Sequence, residues 1–490
     1  MTNHRPSGPG LSKTRFVKGC QCHKRLWLET YEPEAPELAI GEALQDILDQ
    51  GNEVGRLARA HFPGGKLVDL PYHDSARFAL TRQLLDAGAP AVFEATFRAD
   101  RVYAAIDVLR REGDGFTLIE VKSGTDVKDK YVLDAAIQAH VVRRSGVDVR
   151  RVEIMHLNKA YVHPGPEDLF VREDVTGRVE ALLPGIPMQI EAQLAVLAGL
   201  QPDVPIGPFC RDDHGCPFMT RCWPQEPDGV LFLHGMRYDQ RFELLRAGTR
   251  SIRDLPAALK LNDVQARQRK AWAAGGVVVE PGLAAALEPY RGVLGFLDFE
   301  SVGRAVPVWD GTKPWEQIGV QFSYHEGPPG GPYRHEEFLA EPGTDPREAI
   351  ARRLVQATRG AERVLMYTPF EKSQIVKMQR FAPALAGELA ALQAKLLDLE
   401  KVVHRSVYHP AFAGSFSIKS VLPALCGIAY KDTVEIEDGG EASAELARLL
   451  FYSGALAPAE RDTLRARLLE YCRLDTHAMV KLLERLRELA

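Results

Sequence analysis

Three groups of side chains in this sequence have types and spacings suited to chemistry. The first is Asp107 with Glu120 and Lys122. Asp107 lies in a β-like run at 101–109, and Glu120 and Lys122 close the next run at 116–122; Glu94 falls near the end of the run before them. Residues two apart on a strand face one side, so Glu120 and Lys122 point together, and a hairpin would bring Asp107 beside them. Two carboxylates facing one pocket make a hard, oxygen-rich site for Mg²⁺ or Mn²⁺. A lysine there helps to activate water or to stabilise charge developing on a phosphate. The pattern is that of a metal-dependent phosphodiesterase.

The second group is cysteine. Cys210, Cys216 and Cys222 follow a Cys-x₅-Cys-x₅-Cys spacing and are one ligand short of four. Cys22 is the expected distant partner, with Cys20 as its substitute. Four thiolates suit zinc or an iron–sulfur cluster, although the spacing is not that of a CxxC…CxxC ribbon. The third group is acidic. Asp298 and Glu300 sit two apart in the apolar run 292–300, Glu371 follows a strand-like run ending in Tyr367, and Tyr471 and Asp475 are four apart on a helix-like stretch. The (i, i+2) and (i, i+4) spacings each place a pair on one face. Carboxylates on such faces are hard oxygen donors for divalent cations. Asp398 is a candidate auxiliary acid.

The elements that must position these groups are read from periodicity. Residues 12–28 and about 40–60 read as helices, 91–97, 101–109 and 116–122 as strands, 131–144 as a helix and 152–157 as a strand. A longer helix at about 176–197 leads into the cysteines. Residues 225–290 hold short amphipathic stretches, including a helix–turn–helix-like hairpin near 243–255, and read as a small helical connector. A second α/β pattern begins at 291, with strands at 292–300, 317–325, 333–339 and 363–367. The fold class expected is α/β multidomain, divided at 1–224, 225–290 and 291–490.

Composition sets the outer limits. The chain has 490 residues, 61 Lys plus Arg against 66 Asp plus Glu, and a formal net charge of −5, so any polyanion contact must be a local patch. Seven cysteines are too few for a disulfide scaffold and fit a reducing cytoplasm. A cytoplasmic location with no membrane partner is expected, since no apolar leader is visible and the most apolar run, near 179–200, contains prolines and Glu191. Residues 1–11 read as a tail. The run from Ser7 to Lys13 and Thr14 is not a phosphate loop, because serines stand at both required glycine positions. With no ATPase motif, any helicase would be a separate partner. Trp309 and Trp315 read as packing anchors more readily than as base-stacking groups, and His404 and His409 as structural residues.

The segment 12–223 resembles the RecB-like PD-(D/E)XK nucleases with an iron–sulfur staple, the group that includes the CRISPR adaptation nuclease and the AddB nuclease domain. The resemblance implies a restriction-endonuclease-like domain with Asp107, Glu120 and Lys122 as its catalytic set and Gln138 as its helix glutamine. It also implies Cys22, Cys210, Cys216 and Cys222 as ligands of a [4Fe–4S] cluster, with zinc less favoured. Gly55 stands where the family has a histidine, with His61 off the expected spacing, and Val142 where it has a tyrosine. The acids of the C-terminal part resemble the tyrosine subtype of DEDD 3′–5′ exonucleases on an RNase H-like fold. This implies Asp298, Glu300, Glu371 and Asp475 as metal ligands and Tyr471 as the residue orienting water; Glu371 replaces the usual aspartate. Over its whole length, with stretches such as 297–300 and 417–423, the chain resembles a bacterial family fusing a RecB-like nuclease to a C-terminal domain of unknown function. The function implied is a metal-dependent DNA nuclease with two nuclease folds, acting on single strands or ends in repair, recombination or defence. A nucleic-acid-binding scaffold with degenerate sites is the alternative, and RNA processing a third reading.

Overall fold

The computed structural model describes residues 9–429, 436 and 438–490. Residues 1–8 of the expected tail lie outside the described residues, whereas Leu11–Ser12 is already a strand. Contacts divide the chain into two compact units. The first runs up to Trp223 and also includes Arg304–Glu316; the second holds Pro224–Gly303 and Gln317–Ala490. Residues 225–290, read from sequence as a helical connector, fall within the second unit. The short segment 304–316, read from sequence as part of the C-terminal domain, groups with the first.

The first unit is built on a seven-stranded mixed sheet. Its strands are β1 (Leu11–Ser12), β2 (Lys66–Leu67), β3 (Ala91–Ala99), β4 (Val102–Glu112), β5 (Gly115–Lys122), β6 (Val149–Leu157) and β7 (Phe170–Asp174). β3, β4 and β5 are antiparallel neighbours, and β6 returns parallel to β5 after the helix Asp129–Arg144. Such a parallel return needs a crossover, which the helix supplies. Both faces of the sheet are covered. Ile106, Leu118 and Ile154 pack with Val132, Ala135 and Ala139 of the crossover helix, while Val108, Ile119 and Met155 pack with Val54 and Ala58 on the other side.

The alternation of side chains changes phase at one level of this sheet. On β3, Ala91 and Phe93 face one layer and Ala95 and Phe97 the other. On β4, Ile106 and Val108 also face opposite layers although they are two apart. The residues at the break are Glu94, with φ of 56°, and Asp107, and neither is paired in the β3–β4 register. An irregularity of this kind re-aims side chains next to functional sites.

The expected single helix over 12–28 is two helices, Lys13–Gln21 and His23–Tyr31, broken at Cys22, whose backbone is extended (φ −159°, ψ 121°). The run Thr176–Ala198 is long and apolar enough by length and composition to cross a membrane. It is two helices separated by a 3₁₀ turn, and Val179, Ile186, Ile190 and Leu197 belong to the first unit's core.

The second unit holds a two-stranded pair, β8 (Val278–Val279) with β14 (Val407–Tyr408), and a five-stranded sheet. The larger sheet has the order β11-β10-β9-β12-β13, with β9 Leu294–Val302, β10 Ile318–Gly327, β11 Arg334–Leu339, β12 Arg363–Met366 and β13 Leu396–Asp398. β9, β10 and β11 are antiparallel neighbours; β12 and β13 run parallel to β9. Along β9, Leu294 and Phe296 face the layer containing the helix Pro458–Leu489, and Leu297 and Phe299 face the opposite layer. In the hairpin-like stretch near 243–255, Ile252 and Leu255 are buried with Val230, Leu233 and Met236, a packing role.

Candidate functional site

In the first unit the crossover helix lays Asp134 and Gln138, one turn apart, over the end of β5. The Lys122 ammonium donates to Glu120 Oε1 at 2.6 Å and to Asp134 Oδ2 at 2.7 Å. Gln138 Nε2 donates to Glu120 Oε2 at 2.7 Å, while Gln138 Oε1 is buried with no partner among the described residues. Asp107 Oδ2 accepts the Val121 N–H at 2.7 Å. Asp107, Glu120, Lys122 and Gln138 therefore form one cluster.

Two members were missing from the expected set. Lys13, set aside with the rejected phosphate loop, donates to both Glu120 oxygens at 2.9 and 3.0 Å. Asp134 precedes Gln138 by one helical turn, a spacing that could have flagged it. Glu94 lies near enough for its charge to act on Asp107, and its carboxylate is 3.7 Å from Arg59. His61 is elsewhere, 3.5 Å from Asp168 and edge-on to Phe170.

The electrostatics follow from burial and neighbours. Burial, then the Glu120 charge, pushes Asp107 up to about 7. Burial alone would raise Glu120 too, but Lys122 and Lys13 together hold its carboxyl well below the usual range. Burial opposes the charge on both lysines, yet the surrounding carboxylates, Glu120 foremost, raise their ammonium groups above the ordinary value. Both lysines are thus permanent cations, and neither is a base near neutrality.

In the second unit Asp298 and Glu300 continue the Leu294–Phe296 row of β9 toward the helix Pro458–Leu489, which carries Tyr471 and Asp475. One oxygen from each of Asp298, Glu300 and Asp475 lies within 4.8 Å of the others. Burial first, and the Asp475 charge next, drives Asp298 and Glu300 well above the usual carboxylate range. Glu371 is buried in the first turn of the helix Phe370–Phe381 and is pushed by burial up to about 8. Its charge acts on Asp298 and Glu300, but its carboxylate is not one of the converging three; Thr368 Oγ1 donates to it at 3.5 Å. Asp398 caps the helix Leu399–Ser406 through the Lys401 N–H at 3.2 Å.

Lys419 donates to the Tyr471 hydroxyl at 2.9 Å, and its charge favours ionised Glu300. Sequence reasoning included Lys419 in the stretch 417–423 without giving it a role. Burial and the acids raise the Tyr471 phenol far above its ordinary value. Cys472 Sγ lies 3.6 Å from Asp298 Oδ2.

Cys22, Cys210, Cys216 and Cys222 line one small cavity of the first unit. Cys20 does not; its thiol donates to Gln189 Oε1 at 3.1 Å. Trp315 lies in the first unit's core, its Nε1 donating to the Ser123 carbonyl at 2.6 Å. His404 Nε2 is 3.2 Å from His234 Nε2.

A family profile described as a domain of unknown function (DUF2779) matches residues 295–417. No curated protein matches the chain. Among solved structures, one similar chain is an alkaline exonuclease (LHK-Exo) from Laribacter hongkongensis, 16% identical, covering 39% of this chain and 88% of its own, with a TM-score of 0.24.

Proposed function

We propose that the chain is a metal-dependent DNA nuclease with two hydrolytic centres, one in each unit. The observation that carries this reading is the convergence of Asp298, Glu300 and Asp475, three carboxylates from a strand and a distant helix, Asp475 buried and the other two half-buried. Burying like charges together is costly unless a cation or protons compensate them. Hard oxygen donors of this kind fit Mg²⁺ or Mn²⁺. A bound divalent cation supplies an activated water and neutralises charge on the phosphate. The sheet order β11-β10-β9-β12-β13 supports an RNase H-like assignment for this unit. Three antiparallel strands, a crossover helix and a parallel fourth strand, with Asp107 midway along β4 and Glu120 and Lys122 at the end of β5, support the PD-(D/E)XK assignment for the first.

The chain's own groups then have distinct tasks. Hydrolysis forms a bond from water oxygen to phosphorus and breaks one phosphorus–oxygen ester bond, leaving a phosphate monoester and an alcohol. Lys122 and Lys13 offer fixed positive charge to the phosphate. Gln138 holds Glu120 in place. Tyr471 stays protonated at neutral pH, so it orients water as a donor and does not remove its proton. Asp298, Glu300 and Asp475 would hold the cation, with Glu371 beside them.

The four cysteines fit a [4Fe–4S] cluster joining Cys22 to the segment 210–222. Absorption near 400 nm that is lost in Cys22→Ser tests this assignment.

The nuclease reading is tested on single-stranded DNA labelled at the 5′ or 3′ end, in Mn²⁺, with wild type beside Lys122→Ala and Asp298→Ala. Each substitution is expected to remove a different part of the product pattern. Intact substrate with wild type would refute the reading for DNA, and matched RNA decides the RNA-processing alternative. One observation favours a scaffold role for the first site alone: Lys13 already occupies both oxygens of Glu120.

A further inference from the structure

One cleft of the first unit lies beside the acid cluster, and its lining includes none of the cluster's acids. It measures about 690 Å³, within the ~300–1,000 Å³ typical of ligand clefts. Its walls include Arg15, Arg98 and Arg101 and the aromatic rings of Tyr72, Phe78 and Tyr103. Asp74 is the acid of this lining, and its carboxylate is engaged by the Ala76 N–H at 2.8 Å. Neither Arg15 nor Arg98 makes an ion pair among the described residues. In a chain of net charge −5 this is a local cationic surface.

The aromatic groups are arranged for contact, not for burial. Tyr72 is 56% exposed, with its ring 4.7 Å from that of Tyr103. Arg98 lies over the Phe78 ring at 5.0 Å, which holds the guanidinium against the wall. Arg101 ends the two-residue turn joining β3 to β4, and both turn residues have positive φ, 50° at Asp100 and 64° at Arg101. Glycine takes this conformation freely, whereas a residue with a β-carbon is strained in it. Positive φ at both positions is the geometry of a type I′ hairpin turn, and it sets Arg101 at the mouth of the cleft.

The N-terminal segment connects this cleft to the acid cluster. Leu11 N–H donates to the Arg101 carbonyl at 3.0 Å, and a β-carbon on Gly10 would meet that oxygen at 2.9 Å. Ser12 lines the cleft, and the next residue, Lys13, reaches Glu120. We propose that this cleft binds a single nucleic-acid strand, with a base against Tyr72 and Tyr103 and phosphates on Arg15, Arg98 and Arg101. Stacking and guanidinium–phosphate pairing are the two interactions common to sequence-independent strand binding. The proposal rests on the nuclease reading only for where the strand leads, toward Glu120; binding itself does not require cleavage.

The test is fluorescence anisotropy of labelled oligonucleotides of ~15 nucleotides, DNA and RNA of one sequence, with the full chain in EDTA. Arg98→Ala with Arg101→Ala is expected to weaken binding tenfold or more, and to flatten the slope of log K against log salt by about 0.7 for each phosphate no longer neutralised. Tyr72→Ala, at an exposed position, is expected to weaken it about fivefold or more. The stronger of the DNA and RNA arms identifies the strand. Unchanged affinity in both variants, no binding by wild type, or equal competition by poly-glutamate would overturn the proposal. If wild type binds and the variants lose binding while nothing is cut in Mn²⁺, the cleft stands and the nuclease reading falls. If all three proteins cut and bind alike, the reverse holds.

Discussion

Replacing Lys13 with methionine isolates what an internal cation contributes to a buried acid cluster. The Lys13 ammonium lies 2.9 Å from Glu120, with its side chain 17% exposed. At an effective dielectric of 20 a pair at that distance attracts by about 6 kcal/mol, and desolvation of the ammonium offsets part of this. Removing one partner of such a pair costs about 3–5 kcal/mol, because the remaining charge is left buried. At pH 8 the variant leaves Lys122 alone against Asp107, Glu120 and Asp134, so a loss of about 3 kcal/mol is expected. The pH dependence has a definite sign. Asp107 is raised to about 7 in the folded protein, against about 3.9 when unfolded. Its contribution is full below about pH 4 and is lost as pH rises toward 7. Acid therefore relieves the cluster by protonating it, and at pH 5.5 the variant should lose less than half as much. Hydrogen exchange of the β4 and β5 amides, at both pH values, reads the first unit alone. An equal loss at both pH values, or a loss below about 0.5 kcal/mol, would refute the assignment of Lys13 as the cluster's counter-ion.

In the second unit, burial first, then the neighbouring His335 and His477, depress His325 to about 3. Its folded form thus refuses a proton that the unfolded chain takes up below about 6.5. Stability is present above that value and falls by up to about 1.4 kcal/mol per pH unit on acidification; His325→Gln should flatten this part of the urea-midpoint profile. Gly414 has φ of 80°, and a β-carbon there would meet the Phe232 carbonyl oxygen at 2.0 Å. Gly414→Ala is therefore expected to cost roughly 2–4 kcal/mol, measured as a lowered urea midpoint with activity per folded molecule retained. Asp475→Asn removes a like charge from the converging acids. It should stabilise the metal-free second unit by roughly 1 kcal/mol while abolishing the Mn²⁺-induced rise in its melting temperature, and a variant that still gains the full rise would exclude Asp475 as a ligand.

What the sequence revealed, and what it hid, follows from the range of each interaction. The Glu120–Lys122 and Asp298–Glu300 pairs were legible because a strand's period of two fixes their faces, and Tyr471 with Asp475 because a helical turn does the same. The strands β3 to β6 with their crossover helix were legible because apolar alternation and turn residues are local signals. Lys13 was not, since it acts on a residue 107 positions away. The left-handed turn of Glu94 was also hidden, because a residue with a β-carbon gives no local sign that its strand will change phase. The break at Cys22 lies inside a run whose composition reads as one helix. The segment 304–316 carries apolar groups such as Ala305, Val306 and Trp315, but which core they join is decided by tertiary packing.

The two acid clusters differ most in how their charge is balanced, and that difference bears on the chemistry each can perform. In the first unit, Lys13 and Lys122 face Asp107, Glu120 and Asp134, and burial with the Glu120 charge raises two of these acids, Asp107 to about 7 and Asp134 above its ordinary value. That cluster is close to neutral before any metal arrives, so a divalent cation would have to compete with Lys13 for the Glu120 oxygens. In the second unit Lys419 binds the Tyr471 hydroxyl, and Asp298, Glu300 and Asp475 converge with Glu371 nearby. There Asp298 and Glu300 are raised instead of neutralised, so a cation would have to displace protons. On the proposed reading, metal binding at the second centre would be coupled to proton release and favoured by rising pH. At the first it would be coupled to moving a lysine, whose displaced ammonium would then be free to meet the phosphate.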